Sequence, residues 1–290
     1  MQTQAQKKYY IWRKAKNEIF RGLFFLSIVV SLASLAIMLY GIGSSGWSSL
    51  SWDFLSSYPS RFAHLAGIKS AIFGTLAFIS ITAPLAFVIG VCTAVYLEEY
   101  AAKNWFTKLL QINISNLAGI PSIVYGMLGL VLFVRGLELG RSVLAGALTM
   151  TLLILPVIIV SAQEAIRAVP IAHRHGSYAL GGTVTQTAFR IVLPTAMPGI
   201  LTGTILAVSR AIGETAPLIM IGALTYVAFI PTSPLSGFTV LPIQIFNWVS
   251  RPQPEFQNIA AAGIIVLLTI LMLMNAIAIG LRNKFRKNLQ

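Results

Sequence analysis

Residues 207–220 read AVSRAIGETAPLIM, an apolar run in which Arg210 and Glu214 stand four positions apart. Whether that run crosses a bilayer or fills a soluble core decides the fold, and the rest of the chain answers. Of the 290 residues 56% are hydrophobic and 10% charged, with a mean hydropathy of +0.79, whereas a soluble domain carries about a quarter charged residues. A hydrocarbon core of about 30 Å takes about 20 apolar residues per helix. Six such runs occur, at about 19–42, 68–97, 110–134, 142–162, 197–224 and 257–281, and the stretches between them are too short or too polar to build a separate core. The expectation is an all-α membrane protein with six transmembrane helices. A basic segment over 1–18 precedes one membrane domain over 19–290, and the run around Arg210 is the fifth span.

The charges give this layout a direction. Lysine and arginine total 21 against eight acidic residues, a formal net charge of +13. Six basic residues precede the first span and four follow the last; Lys103 and Lys108 follow the second span, and Arg167, Arg174 and Arg190 follow the fourth. The alternate loops hold only Arg61, Lys69, Arg135, Arg141 and Arg251. By the positive-inside rule both termini and the stretch 163–196 are expected in the cytoplasm, which requires an even number of crossings. Anionic lipid headgroups account for the basic ends, so no nucleic-acid partner is expected. The first run is longer than a signal-peptide core and is expected to be retained as an anchor.

Chemistry is scarce. The chain has no Walker A sequence, no His-Glu-x-x-His and no Gly-x-Ser-x-Gly elbow, and His64, His173 and His175 have no carboxylate set beside them. Neither an enzymatic site nor a metal or cofactor is therefore expected. Cys92, the single cysteine, reads as a small core residue of the second span. Trp47, Trp52 and Tyr58 lie among serines after the first span, as aromatics anchored at headgroup level do. In NLAGIPSIVYG, residues 116–126, Pro121 with Gly119 and Gly126 predicts a broken or kinked helix. That break could line a cavity, with Ser122 on the pathway, or serve packing alone.

The longest polar connection, 163–196, reads QEAIRAVPIAHRHGSYALGGTVTQTAFRIVLPTA. Its pattern predicts two short helices joined by a turn at Gly181 and Gly182, lying at the membrane surface. The stretch resembles the signature of the permease subunits of bacterial ABC importers. That motif is Glu-Ala-Ala, three variable residues, Gly, nine variable residues, Ile, one variable residue, then Leu-Pro. Here the spacing is filled by His175, Gly176 and Ser177, then YAL, Gly181, GTVTQTAFR, Ile191, Val192, Leu193 and Pro194. The opening triplet departs from the motif, because His175 stands where the family has glutamate. The resemblance implies a type I importer (MetI-like) architecture and a coupling helix that docks on a cytoplasmic ATP-binding subunit. His175, Gly176, Ser177, Tyr178 and Gly181 are the expected docking residues, and the missing glutamate removes one anionic contact. With NLAGIPSIVYGMLGL and SRAIGETAPL, the stretch from about residue 68 onward is similar to phosphate-importer permeases of the PstA type.

That resemblance implies a bacterial inner-membrane subunit with four kinds of company. They are a related PstC-type permease, two cytoplasmic ATP-binding subunits, an external phosphate-binding protein and the bilayer itself. It also bears on the opening stretch. A charge at a helix centre costs about 2.5–3.5 kcal/mol on insertion scales. Four-residue spacing places Arg210 and Glu214 on one helix face, where they can pair, yet a buried pair is often no more stabilising than apolar residues of its volume. Arginine stays charged and matches phosphate oxygens bidentately. Arg210 is therefore the expected oxyanion contact and Glu214 its resting counter-charge, with Ser209 and Thr215 offering hydroxyls nearby or bonding back to the helix. Two other readings remain open: a permease for sulfate, molybdate or another oxyanion, and a stand-alone secondary transporter using the pair for proton coupling.

Overall fold

The structure is a computed structural model that describes residues 4–223 and 226–287. In chain order the helices are α1 (Gln4–Gly46), α2 (Trp52–Ser56), α3 (Lys69–Val95), α4 (Trp105–Leu117), α5 (Ser122–Gly129), α6 (Val143–Arg167), α7 (Ile171–Ala179), α8 (Val184–Thr187), α9 (Leu193–Gly213), α10 (Ala216–Met220), α11 (Leu241–Val249) and α12 (Glu255–Lys287). Among the described residues no strand forms, only a single bridge between Ser142 and Gly237. Five helices are long and apolar enough to cross a membrane, or six if the bent pair α4–α5 counts as one span.

Two of the six apolar runs do not form straight helices, and proline chemistry explains both. In the third, α4 and the helix over Ser122–Gly136 meet at 103°, because the chain cannot continue helically into Pro121. The carbonyl of Leu117, which Pro121 cannot serve, accepts from Ile120 N–H at 3.2 Å and from the Tyr125 hydroxyl at 2.9 Å. The fifth run was expected as one span over 197–224 whose helix opens just beyond the charged pair at Pro217; α9 stops earlier, at Gly213, and a separate short helix begins at Ala216. The ring of Pro217 would meet the carbonyl four residues back, at Gly213, and it offers no N–H in return.

The connection over 163–196 also differs from two short surface helices. α7 is short, but α8 runs through a π-helical turn over Ala188–Val192 straight into α9, so one long helix spans Val184–Gly213. The wider turn directly precedes Pro194, which has no N–H to offer the carbonyls behind it, and a locally widened helix accommodates such a residue within a continuous run.

α6 is the centre of the molecule: 67% of its most apolar window is buried, against 0% for α1. α3 lies close along it, so that a Cβ at Gly90 would stand 2.6 Å from Ile158 Cγ2. Cys92, expected in the core, is exposed on the opposite side of α3, since that helix buries only the face turned to α6. The segment before α11 is a plug rather than a loop. Phe238 stacks on Phe78 at 6.4 Å, fills the space over Gly146 and is wholly buried. Around it Leu241 N–H donates to Thr75 Oγ1 at 3.0 Å, and Val143 and Leu144 N–H donate to the carbonyls of Ser236 and Pro234. A second core gathers Phe54, Ile68, Leu241, Trp248 and Phe256 at the same end.

Candidate functional site

Arg210 sits in the last turn of α9, and Glu214 is the first residue beyond it, with extended backbone (φ −74°, ψ 134°). The pair is therefore not two neighbours on one helix face. Glu214 turns back over the helix end, and its Oε1 accepts from Arg210 Nε at 3.2 Å. A cation in the last turn is favoured by the exposed carbonyls there. The Arg210 side chain is 52% exposed and that of Glu214 19%, so the carboxylate is largely covered while the guanidinium reaches outward. A single Nε contact leaves the two terminal nitrogens of Arg210, which form the bidentate fork, without an acceptor among the described residues.

The other expected pathway residues divide. Thr215 immediately follows the pair and opens α10, its carbonyl accepting from Ile219 N–H. Ser209 points elsewhere: its hydroxyl bonds Ile205 O at 2.8 Å and Asn275 Oδ1 of α12 at 2.6 Å, joining two helices rather than facing Arg210. Ser122 opens α5 directly after Pro121, and no hydrogen bond links it to Arg210 or Glu214 among the described residues. What joins the two broken runs is apolar. A Cβ at Gly126 would lie 2.7 Å from Pro217 Cα and 2.8 Å from Met220 Cβ, so the backbone of α5 rests directly on α10, one turn beyond Glu214.

The coupling stretch is built on glycine and hydroxyls. α7 ends at Gly181 with φ +81°, a conformation glycine adopts without strain. Gly181 N–H donates to Tyr178 O and Gly182 N–H to Ser177 O, the paired bonds of a Schellman cap. Thr183 and Gln186 form a reciprocal capping box at the start of α8. Ser177 and Thr187 hydroxyls meet at 2.8 Å, tying the two helices together, while His175 and Gly176 lie on the exposed side. Leu180 is 91% exposed at the tip, Tyr178 is exposed just before it, and Ile171 is exposed at the other end of α7. This is an apolar edge on a short projecting hairpin.

Sequence reading missed a polar clamp behind that hairpin. Glu98 and Glu99, in the π-helical turn over Tyr96–Tyr100 at the end of α3, hold the two arginines read only as basic loop residues. Glu98 accepts two bonds from Arg167, 2.9 Å from Nε and 2.6 Å from Nη2, and a third of 2.8 Å from Gln163. Glu99 accepts from Arg174 Nη2 at 2.9 Å, and Arg174 also donates to the carbonyls of Ile166 and Val169. A signal was present in the sequence: two adjacent acids closing an apolar span, in a chain with eight acids in all.

Comparison with known proteins agrees with the architecture. The chain is 34% identical over 89% of its length to the phosphate transport system permease protein PstA 1 of Mycobacterium tuberculosis (strain CDC 1551 / Oshkosh), covering 86% of that protein. It is 32% identical over 96% of its length to the probable ABC transporter permease protein YqgI of Bacillus subtilis, covering 98% of it. Among solved structures, the bacterial alginate ABC transporter bound to its alginate-loaded periplasmic protein superposes with a TM-score of 0.67 at 16% identity, over 92% of this chain and 95% of that one. An inward-facing MetNI methionine ABC transporter gives 0.62 at 16% identity, over 74% and 94%. These two likenesses establish a shared MetI-like fold. Residues 86–287 match the model of one family across the coupling hairpin, both broken runs and α12. On that match and the relatives' identity, the chain belongs to the binding-protein-dependent transport system inner membrane components, the permease subunits of ABC importers.

Proposed function

We propose that this chain is the PstA-type permease of an ATP-driven importer of inorganic phosphate. It forms one half of the translocation pore beside a related PstC-type subunit, in a bacterial plasma membrane. Both termini and the α7–α8 hairpin face the cytoplasm, where the hairpin seats on an ATP-binding subunit. Phosphate arrives from an external binding protein at the opposite end, where α2 and α11 lie. ATP hydrolysis belongs to the partner subunits, and the work of this chain is to bind, orient and release the anion. The distribution of basic residues supports the orientation, and the similarity to PstA permeases over most of the chain supports the substrate.

The observation that carries the anion pathway is Arg210 itself. It is a half-exposed guanidinium at the end of an apolar helix, bonded through Nε, with its two terminal nitrogens making no hydrogen bond among the described residues. Such a fork matches two oxygens of a phosphate. Glu214, fixed by the helix end, neutralises the arginine when no anion is present and weakens the anion's hold when one is. The test is uptake by liposomes containing the complete complex. Phosphate accumulation should require ATP and the binding protein; accumulation by the permeases alone would instead support an ion-coupled carrier. Selective accumulation of sulfate or molybdate would replace phosphate with another oxyanion.

A further inference from the structure

The clamp behind the coupling hairpin has a geometry that docking alone does not require. Arg174 lies within α7, between His173 and His175, yet its side chain points away from the exposed docking side. It enters the molecule, where it is 19% exposed and its partner Glu99 only 6%. Its guanidinium joins three elements at once: Glu99 after α3, and the carbonyls of Ile166 and Val169 at the end of α6. Glu98 repeats the arrangement one residue earlier, against Gln163 and Arg167 of α6. Charged groups this enclosed are costly to separate, because each would be left buried without its partner. A displacement of α7 must therefore either carry the end of α3 with it or break the pair.

Resting on the importer reading above, we propose that Glu99 and Arg174 are positioning residues that transmit movement of the coupling helix into α3. α3 lies along α6 through Gly90 and Ile158, and Thr82 of α3 reaches Ala147 O of α6 at 3.4 Å. A pull at residue 99 is thus delivered to the centre of the bundle. Glu98 and Arg167 brace the same turn from the α6 side. The exposed ion pair between Glu18 and Arg21 has no such connection and serves as the control.

The native Cys92, exposed on α3 seven residues before Glu99 and the single cysteine of the chain, provides the reporter. An environment-sensitive fluorophore on Cys92 is followed in the whole complex, the other subunits lacking reactive cysteines, while ATP is added. In the wild type and in Glu18→Gln the label should respond to nucleotide. In Glu99→Gln and in Arg174→Lys, which keeps the charge but cannot hold all three partners, the response should fall about tenfold, within the range of ordinary coupling energies. ATP-binding subunits should stay bound and ATP hydrolysis should persist. The proposal is overturned if the variants respond as the wild type does, if the wild-type label does not respond, or if response and subunit association are lost together. In that last case the pair merely folds the hairpin. Phosphate uptake is measured on the same liposomes, and a wild type that responds to ATP yet moves no phosphate refutes the substrate assignment while leaving the linkage established.

Discussion

Arg210→Gln and Glu214→Gln remove opposite halves of one ion pair, and the geometry predicts unequal consequences. Removing Arg210 strands a carboxylate that is four-fifths covered, its side chain being 19% exposed. Stranding a fully buried charge costs about 3–5 kcal/mol, whereas an exposed pair is worth at most about 1 kcal/mol. With one partner half exposed, Arg210→Gln should cost about 1–2 kcal/mol of stability. Removing Glu214 strands a half-exposed cation that the helix end itself favours by about 0.3–1 kcal/mol. Its cost should therefore stay below about 1 kcal/mol. Function should invert the scale. Two charge-assisted hydrogen bonds to an oxyanion are worth about 3 kcal/mol or more, a hundredfold or more in occupancy. Arg210→Gln should lower phosphate uptake by about that factor while the complex still assembles. Glu214→Gln should instead tighten the hold on the anion and slow its release. The assay is thermal inactivation of the purified complex beside uptake in liposomes. Uptake that falls only as far as assembly falls, or that survives Arg210→Gln, refutes a pathway role for the arginine.

Other expectations follow from the breaks and caps. Gly126→Ala drives a methyl into Pro217 Cα at 2.7 Å and Met220 Cβ at 2.8 Å, and should cost about 1–3 kcal/mol as overpacking, read as a lower melting temperature. Tyr125→Phe removes one of the two donors to the Leu117 carbonyl, which keeps Ile120 N–H, and should cost about 0.5–1.5 kcal/mol at the bend between α4 and α5; an unchanged melting temperature would mean the hydroxyl bond adds nothing there. Gly176→Ala and Gly181→Ala make a matched pair, both with open space around the new methyl. The first should stabilise α7 by up to about 1 kcal/mol. The second, at φ +81°, should destabilise the turn by about 1 kcal/mol and reduce co-purification of the ATP-binding subunits. Equal behaviour of the two would count against the cap.

The membrane class was legible because it rests on hydropathy, which needs no partner to be read. The turn at Gly181 was legible because glycine is the residue that a left-handed backbone favours. Prolines at 121 and 217 each announced a break, but the place of the second was hidden: α9 ends at Gly213, four residues before Pro217, inside an uninterrupted apolar run. The same masking assigned Glu214 to a helix face it does not occupy. Residues 98, 99, 167 and 174 were beyond reach for another reason. Their pairing joins positions 69 and 75 apart in sequence, and no local periodicity encodes that. Cys92 misled because small residues in apolar helices are equally at home inside and outside, so burial there depends on which side the neighbouring helix takes.

The plug formed by residues 234–241 sets an order of events in the making of the protein. Gly74, Thr75 and Gly146 belong to helices synthesised early, yet their complements, Thr239, Leu241 and Phe238, lie far downstream. As the chain leaves the ribosome, α3 and α6 enter the bilayer with a notch between them that nothing yet fills. Final closure must wait for the last fifth of the polypeptide, so a nascent chain halted before residue 234 carries an unfinished seam for quality-control proteases to recognise.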